Sequence, residues 1–161
     1  MHYRFDRGDV LRYVRSNLGM CMPNLVSRRQ FTVEWAHCDP ASIVFNSRFF
    51  EYFDWGTWIL FETALGVKPE NLSGKLGIVL PLVDVNARFL APARFGDVVE
   101  LYSEIGEFRR SSFDVAHRLT IAGELAVEGR ESRVWAKRDT TSPAGIKALP
   151  IPDDIIARFQ T

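Results

Sequence analysis

The sequence predicts an α+β fold, in which one long helix packs against an antiparallel sheet of about five strands. The first observation behind this is a helical pattern over residues 46–65, where apolar side chains recur every three to four positions. These side chains cover more than one stripe, so most of the helix needs covering by other elements. The second observation is that four β-type segments follow the helix with short turns between them, and one precedes it. Strands joined by short connections pair antiparallel, which leaves the helix on one face of the sheet.

The long helix has recognisable ends. Asn46 and Ser47 are residue types that cap the free amides of a first helical turn, so they predict where it begins. Gly66 suits the left-handed position just after a helix and predicts where it ends. Gly56 lies in the middle, where glycine costs roughly 1 kcal/mol relative to alanine. That cost predicts that another backbone or a ligand approaches the helix closely at this position.

The strands are indicated by alternating polar and apolar residues and by the turns between them. Residues 30–35 alternate in this way, as expected for a half-buried strand before the helix. Residues 67–77 contain proline, asparagine and two glycines, and are predicted to form a surface loop. The remaining predicted elements are strands at 78–90, 97–108, 112–121 and 125–138, followed by a short closing helix within 150–159.

At 161 residues the chain is long enough for one domain with a sizeable core. We place this domain at residues 29–161 and treat residues 1–28 as an N-terminal extension without a catalytic role. Within the extension, residues 9–18 are predicted to form a short helix. Its arginines suggest a transit peptide, which the nearby aspartates weaken, and a functional chain that starts at Met20 or Met22 is a further alternative.

The composition argues against several classes of partner. Twenty basic and twenty acidic side chains cancel, so no global field attracts nucleic acid or an anionic membrane surface. No apolar run approaches the roughly 18 residues that suggest a membrane-spanning helix. Cys21 and Cys38 have no metal-binding spacing and indicate no disulfide framework, which favours a reducing, cytoplasmic setting.

The residues before the helix carry a family resemblance. The sequence Asp-Pro-Ala-Ser-Ile-Val-Phe at 39–45, preceded by Trp-Ala-His-Cys, resembles the active-site segment of hotdog-fold acyl-CoA thioesterases. It is most similar to the 4-hydroxybenzoyl-CoA thioesterase branch. Blocks within 86–97 and at 108–113 follow in the same order and at nearly the same spacing. The resemblance covers about residues 29–140, and one departure from it is Ser42, where many relatives have glycine.

The resemblance implies a hotdog fold, in which a curved antiparallel sheet wraps one central helix, and hydrolysis of an acyl-CoA thioester. Asp39 would be the catalytic carboxylate, and a backbone amide at the helix start, assigned to Asn46, would contact the carbonyl oxygen. Elementary chemistry agrees, because the free amides and the positive dipole end of a helix polarise a carbonyl. Whether Asp39 attacks the carbonyl carbon or deprotonates a water is left open. No cofactor is implied, since coenzyme A is part of the substrate.

The resemblance also bears on the acyl group and on assembly. In the hydroxybenzoyl-specific branch, an acidic residue at the position of Asp54 accepts a hydrogen bond from the substrate phenol. Phe45 of the motif is also assigned to substrate binding, and the expected acyl group is aromatic or short-chain. Hotdog domains form homodimers, often paired into homotetramers, with their sites at the subunit boundary.

The phosphates of CoA need cations near the surface. A predicted turn between two strands supplies two guanidinium groups and two hydroxyls, which suit phosphate oxygens. Arg88 and Arg94 come from neighbouring connections and could contribute to the same site. The predicted residues of this turn are Arg109, Arg110, Ser111 and Ser112.

The sequence gives weaker support to other kinds of site and function. His37 beside Cys38 suggests Cys–His catalysis, but adjacent residues of an extended segment point to opposite faces. His117 is predicted to be a sheet residue with a hydrogen-bonded ring. No zinc motif or Gly-rich phosphate loop is present, so no metal site is predicted. Two function classes stay open: a hotdog acyl-CoA hydratase or dehydratase, disfavoured because Asp39 has no obvious histidine partner, and a non-catalytic acyl-CoA-binding module.

Overall fold

The computed structural model describes residues 24–160 and contains the predicted α+β arrangement. A five-stranded and a three-stranded antiparallel sheet are present in this range. The helices are α1 (Asn46–Leu65), α2 (Pro69–Leu76) and α3 (Asp153–Ala157). The strands are β1 (Val26–Thr32), β2 (Ile78–Val79), β3 (Leu82–Phe89), β4 (Val98–Phe108), β5 (Ser112–Ile121), β6 (Glu124–Val134), β7 (Ala136–Arg138) and β8 (Ile146–Ala148).

The larger sheet has the strand order β1-β4-β5-β6-β3, and every neighbouring pair is antiparallel. We call its near end the one where β1 ends and β4 begins, at the paired residues Thr32 and Val98. Its far end is the one where β4 turns into β5. Helix α1 begins at the near end, where the Phe49 ring lies 5.2 Å from the Phe89 ring of β3. The 11 residues of β4 separate the two ends, which corresponds to about 35 Å.

Helix α1 lies close against the sheet because there is a glycine on each side of the contact, one in the helix and one in the sheet. A Cβ atom at Gly56 would lie 2.3 Å from Ser103 Oγ, and one at Gly129 of β6 would lie 2.4 Å from the Phe53 ring. A close approach is therefore present at Gly56, but the prediction that a backbone or a ligand makes it is wrong, because the neighbouring atoms are side chains of the sheet. Apolar clusters at both ends of α1 fill the space between helix and sheet. This is the wrapped helix that the hotdog resemblance implies.

The prediction of a surface loop over residues 67–77 is wrong, because Pro69–Leu76 form α2. Pro69 occupies the first turn, where its missing N–H costs nothing. Gly77 adopts φ 68° just after the last turn, a conformation that glycine takes without strain. The proline and the glycine that indicated a loop therefore begin and end a short helix, which buried Leu72 anchors to the core.

The predicted strands are present with shifted boundaries. Strand β1 begins at Val26 and ends before Trp35–His37, which form a 3-10 turn. The segment predicted as one strand over 78–90 is two strands, β2 and β3, because Pro81 lacks the N–H that a continuous ladder needs. The segment 125–138 is likewise divided between β6 and β7, and α3 confirms the short closing helix.

Most of the predicted N-terminal extension lies outside the described residues, including the helix predicted at 9–18 and Cys21. Residues 26–28 belong to β1, and Leu25 N–H donates to the Phe159 carbonyl at 2.8 Å. The proposed domain boundaries stay a prediction. Across residues 24–160, no helix is both long and apolar enough to cross a membrane.

Candidate active site

The segment that carries Asp39 forms a tight loop fixed to the β3–β4 connection. Asp39 N–H donates to the Ile43 carbonyl at 2.9 Å, and Val44 N–H donates to the Ala93 carbonyl at 2.8 Å. Within the loop, Asp39 Oδ1 accepts from Ala41 N–H at 2.8 Å. This bond is the turn that an aspartate forms with the backbone two residues on. The bond occupies Oδ1 of the Asp39 carboxylate and leaves Oδ2 free to react.

Ser42 completes the loop in a conformation that residues with a Cβ rarely adopt. Its φ is 60°, and its N–H donates to the Asp39 carbonyl at 2.9 Å. Glycine takes this conformation without a steric penalty. Ser42 therefore holds the turn in a left-handed backbone conformation at a cost in strain.

Replacing Ser42 with glycine is expected to raise the free energy of unfolding by about 0.5 kcal/mol, because the released left-handed strain slightly exceeds the added chain entropy. Denaturant unfolding of the variant and the wild type measures the difference. Ala122→Gly is the matched control, since Ala122 has φ 51° in a turn away from this loop. Destabilisation by Ser42→Gly but not by Ala122→Gly would mean that the serine hydroxyl contributes a bond of its own.

Helix α1 begins with free amides beside this loop. Its N-cap is Phe45, which has no capping group, so the prediction that Asn46 or Ser47 caps the helix is wrong. The reason is that the Phe45 carbonyl accepts from Arg48 N–H at 2.9 Å, which makes Phe45 the cap and places Asn46 inside the first turn. The backbone N–H groups of Asn46 and Ser47 have no hydrogen-bond acceptor among residues 24–160. The positive end of the α1 dipole is therefore uncapped.

Asp39 and the first turn of α1 open into one cleft of about 450 Å³. One wall combines the loop with Phe45 and Phe49, and the other is formed by residues 89–93 at the end of β3 and in the following connection. Both walls are largely apolar. A carbonyl bound here would lose water while facing a carboxylate and free amides, which strengthens both interactions.

Three of the predicted site residues line this cleft: Asp39, Phe45 and Asn46. The wall formed by residues 89–93 was missed, because it contributes backbone and apolar side chains rather than a recognisable reactive group. The turn-forming Pro92 is the one sequence indication that this segment changes direction here.

Arg88 and Asp54 lie away from the cleft within the subunit. Phe89 of β3 faces α1, so its neighbour Arg88 points to the opposite face of the sheet. There it lies 3.7 Å from a carboxylate oxygen of Glu128. Asp54 is eight residues beyond Asn46 in α1, which corresponds to about 12 Å along the helix axis.

The predicted phosphate-binding turn lies at the far end of the sheet, and Arg109 within it is already paired. Its guanidinium donates to both carboxylate oxygens of Asp114, at 3.1 and 2.6 Å, and to Glu107 at 2.7 Å. The Arg109 bonds, followed by those from Ser132 and Arg130, hold the pKa of buried Asp114 well below its usual range. Arg109 thus stabilises the hairpin, whereas exposed Arg110 has no ion-pair partner within the described range.

A buried network that the sequence analysis did not predict connects α1 to β6. Arg133 donates to Asp54 at 2.7 Å and to buried Glu131 at 2.9 and 3.0 Å, and Thr57 donates to Glu131 at 2.6 Å. Burial alone would raise the pKa of Glu131. The neighbouring His117, Arg133 and Thr57 outweigh it and lower that pKa to about 2. The one indication in the sequence is that Glu131 and Arg133 occupy alternate positions of a strand where core residues are expected.

His117 of β5 also belongs to this network. Its Nδ1 lies 2.9 Å from Ser103 Oγ, while its Nε2 lies 3.4 Å from Glu131 Oε2 without hydrogen-bond geometry. Burial lowers the pKa of His117, so the ring is neutral near pH 7. The predicted sheet position is confirmed, but only one of the two ring nitrogens is hydrogen-bonded. Over residues 24–160, no three His, Cys, Asp or Glu side chains are grouped so that they could hold a metal ion.

A family model described as the thioesterase-like superfamily matches residues 33–159, which include the Asp39 loop, α1 and most of the larger sheet. The chain belongs to this superfamily. Among curated relatives, this thioesterase-family chain is 32% identical to 4-hydroxybenzoyl-CoA thioesterase of Pseudomonas sp. (strain CBS-3) over 134 residues. Those residues are 79% of this chain and 92% of that protein.

Solved structures of thioesterases have the same fold. The structure of 4-hydroxybenzoyl-CoA thioesterase from Pseudomonas sp. strain CBS-3 matches with a TM-score of 0.74 at 28% identity, covering 83% of this chain and 98% of that one. A gentisyl-coenzyme A thioesterase matches with a TM-score of 0.72 at 26% identity, and the match covers 83% of this chain and 99% of that one. The predicted hotdog fold and the predicted thioesterase family are confirmed.

Proposed function

We propose that this thioesterase-family protein hydrolyses an acyl-CoA thioester to the free acid and CoA. The observation that carries this proposal is that the Asp39 carboxylate and the free amides of α1 face one apolar cleft. A thioester carbonyl in that cleft would meet hydrogen-bond donors at its oxygen and a carboxylate near its carbon. The named substrates of the similar proteins, 4-hydroxybenzoyl-CoA and gentisyl-CoA, support the substrate class.

Two routes use these same groups. In one, an Asp39 oxygen attacks the carbonyl carbon, the C–S bond breaks, the CoA thiolate leaves and is protonated, and water then cleaves the mixed anhydride. In the other, Asp39 removes a proton from a water, which attacks the carbonyl carbon before the same C–S bond breaks. In both, the amide of Asn46 stabilises the negative charge that develops on the carbonyl oxygen. The reaction needs no cofactor, because CoA arrives with the substrate.

The proposed acyl group is aromatic, such as 4-hydroxybenzoyl, with a short-chain acyl group as the alternative. Phe45, Phe49 and Phe89 line the cleft, and Phe45 and Phe89 are both 50% exposed in the subunit. Aromatic side chains of this kind favour a flat acyl ring through edge-to-face and offset contacts. A cleft of about 450 Å³ has room for such a ring.

The proposed substrate contacts of Asp54 and of the 109–112 turn require a second subunit. Strand β3 is an edge of the larger sheet, and Leu82 and Val83 on it are exposed. Such an edge favours pairing with another strand. Two copies joined along β3 by a twofold axis run antiparallel, so the far end of one sheet lies beside the near end of the other. The proposed assembly is therefore a homodimer, or a homotetramer of such pairs, and light scattering should give a mass of two or four chains.

Arg110→Gln is expected to raise the KM for a CoA ester by about two- to fivefold, because an exposed guanidinium contributes a modest, screened attraction to phosphate. The increase should shrink at high salt. Arg109→Gln is the informative comparison, since it should also destabilise the fold by leaving buried Asp114 with one fewer cation. A KM that is unchanged in Arg110→Gln at low salt would place the phosphate site elsewhere.

The test of the proposed function is thiol release from a panel of CoA esters: 4-hydroxybenzoyl, benzoyl, phenylacetyl, short aliphatic and long aliphatic. We expect Asp39-dependent release with a preference for an aromatic ester. Loss of enoyl-CoA absorbance without thiol release would instead identify a hydratase. Binding of CoA esters without any turnover would identify a non-catalytic binding module.

A further inference from the structure

Two residues outside the cleft tie the proposed catalytic loop to the proposed oxyanion-binding turn. His37 lies two positions before Asp39, and Tyr52 lies in the second turn of α1. Tyr52 is fully buried, yet its hydroxyl lies 2.8 Å from Nδ1 of His37. A buried tyrosine hydroxyl needs a partner, and here that partner is a side chain of the loop rather than of the sheet.

The direction of this hydrogen bond follows from a second donor. Glu34 N–H also points at His37 Nδ1, at 3.4 Å. Since an N–H can only donate, Nδ1 carries the lone pair and Tyr52 donates to it. The ring proton is then on Nε2. Burial raises the pKa of Tyr52 to about 12, so its hydroxyl keeps the proton that it donates.

The backbone of His37 makes the second half of the connection. Its carbonyl accepts from Phe45 N–H at 2.9 Å, and Phe45 is the N-cap of α1. One residue therefore bonds to α1 twice, through its ring to the second turn and through its carbonyl to the cap. Asp39 follows two residues later, and the free amides of the first turn begin at Asn46. The spacing between the carboxylate and these amides thus depends on His37.

We propose that the Tyr52–His37 hydrogen bond positions the Asp39 loop against the first turn of α1, so that carboxylate and oxyanion-binding amide act on the same carbonyl. This inference rests on the proposed function. Both residues act through Asp39 and contact no substrate themselves, so they are positioning residues. Losing the bond should leave substrate binding intact, because neither side chain lines the cleft. It should slow the chemical step, because a displacement of about 1 Å between reacting groups can cost a hundredfold in rate.

The experiment compares Tyr52→Phe and His37→Ala, separately and together, with the wild type. Each single change should lower kcat by about 10- to 100-fold with KM within twofold, as expected when alignment rather than binding is lost. The double variant should be no slower than the slower single variant, because both remove the same bond. His37→Asn should recover part of the rate, since its amide oxygen can accept from Tyr52. A kcat within twofold of wild type in Tyr52→Phe would overturn the proposal.

Thr57→Val is the matched control for general destabilisation. It also removes a buried hydroxyl of α1, but that hydroxyl bonds to Glu131 in the sheet. We expect Thr57→Val to lower the unfolding midpoint without lowering kcat at a temperature well below that midpoint. An equal fall of kcat in Thr57→Val and Tyr52→Phe would mean that Tyr52 acts only through stability.

Amide hydrogen exchange separates this proposal from the proposed function. Tyr52→Phe should speed exchange at Asp39, Val44 and Phe45, whose N–H groups hold the loop in place, but not in β5. If the wild type cleaves no ester and exchange still changes in this way, the hydrolase proposal fails and the positioning contact stands. If the wild type cleaves esters and Tyr52→Phe changes neither exchange nor kcat, only the positioning proposal fails.

Discussion

Replacing Asp39 with asparagine is expected to lower kcat for thioester hydrolysis by about 10²- to 10⁴-fold, the range typical of a positioned general base. Asparagine can neither attack the carbonyl nor deprotonate water at neutral pH. The loop should keep its shape, because the asparagine oxygen can still accept from Ala41 N–H as Asp39 Oδ1 does. Side-by-side kinetics with the preferred ester of the panel, together with denaturant unfolding, measures both expectations.

Asp139→Asn is the matched control for this substitution. Asp139 makes the same kind of turn, accepting from the backbone N–H of Thr141 at 2.9 Å, but it lies in the β7–β8 connection rather than in the cleft. Activity should be unchanged in Asp139→Asn. Wild-type turnover in Asp39→Asn would remove Asp39 from the site, and equal losses in both variants would trace the effect to turn geometry.

Arg133→Met is expected to lower the free energy of unfolding by about 3–5 kcal/mol, the usual loss when one partner of a buried ion pair is removed. Glu131 is 1% exposed and, of its hydrogen-bond donors within residues 24–160, would keep Thr57 alone, beside a neutral His117. Asp54 would lose its guanidinium partner as well. Denaturant unfolding at neutral pH measures the change.

Two comparisons identify the cause of this loss. Adding Glu131→Gln to Arg133→Met should recover part of the stability, because the second change removes the unpaired buried charge. Arg88→Met should have little effect, since the Arg88 side chain is 75% exposed and its contact with Glu128 is 3.7 Å long. A loss below about 1 kcal/mol in Arg133→Met would show that the buried pair contributes little beyond a well-packed apolar side chain.

The candidate site was predictable where the chemistry is local in sequence. The Asp39 turn, the start of α1 and the aromatic residues beside them lie within about ten consecutive positions, and the structure brings them to one cleft. The opposite wall at 89–93 comes from a segment about fifty residues later, so its arrival depends on strand pairing. The 109–112 turn has suitable phosphate-binding groups, but the register of β4 places it at the far end of the sheet.

The α+β class, the extent of α1 and most strands follow from the amino-acid sequence, because periodicity and turn residues act over short distances. The sequence also indicates where to look for chemistry, at Asp39 and the amides that follow. Tertiary packing determines that Arg133 pairs with Asp54 and that Tyr52 bonds to His37. These two contacts join residues 79 and 15 positions apart. Their formation depends on which faces of α1 and the sheet meet, and only packing fixes that.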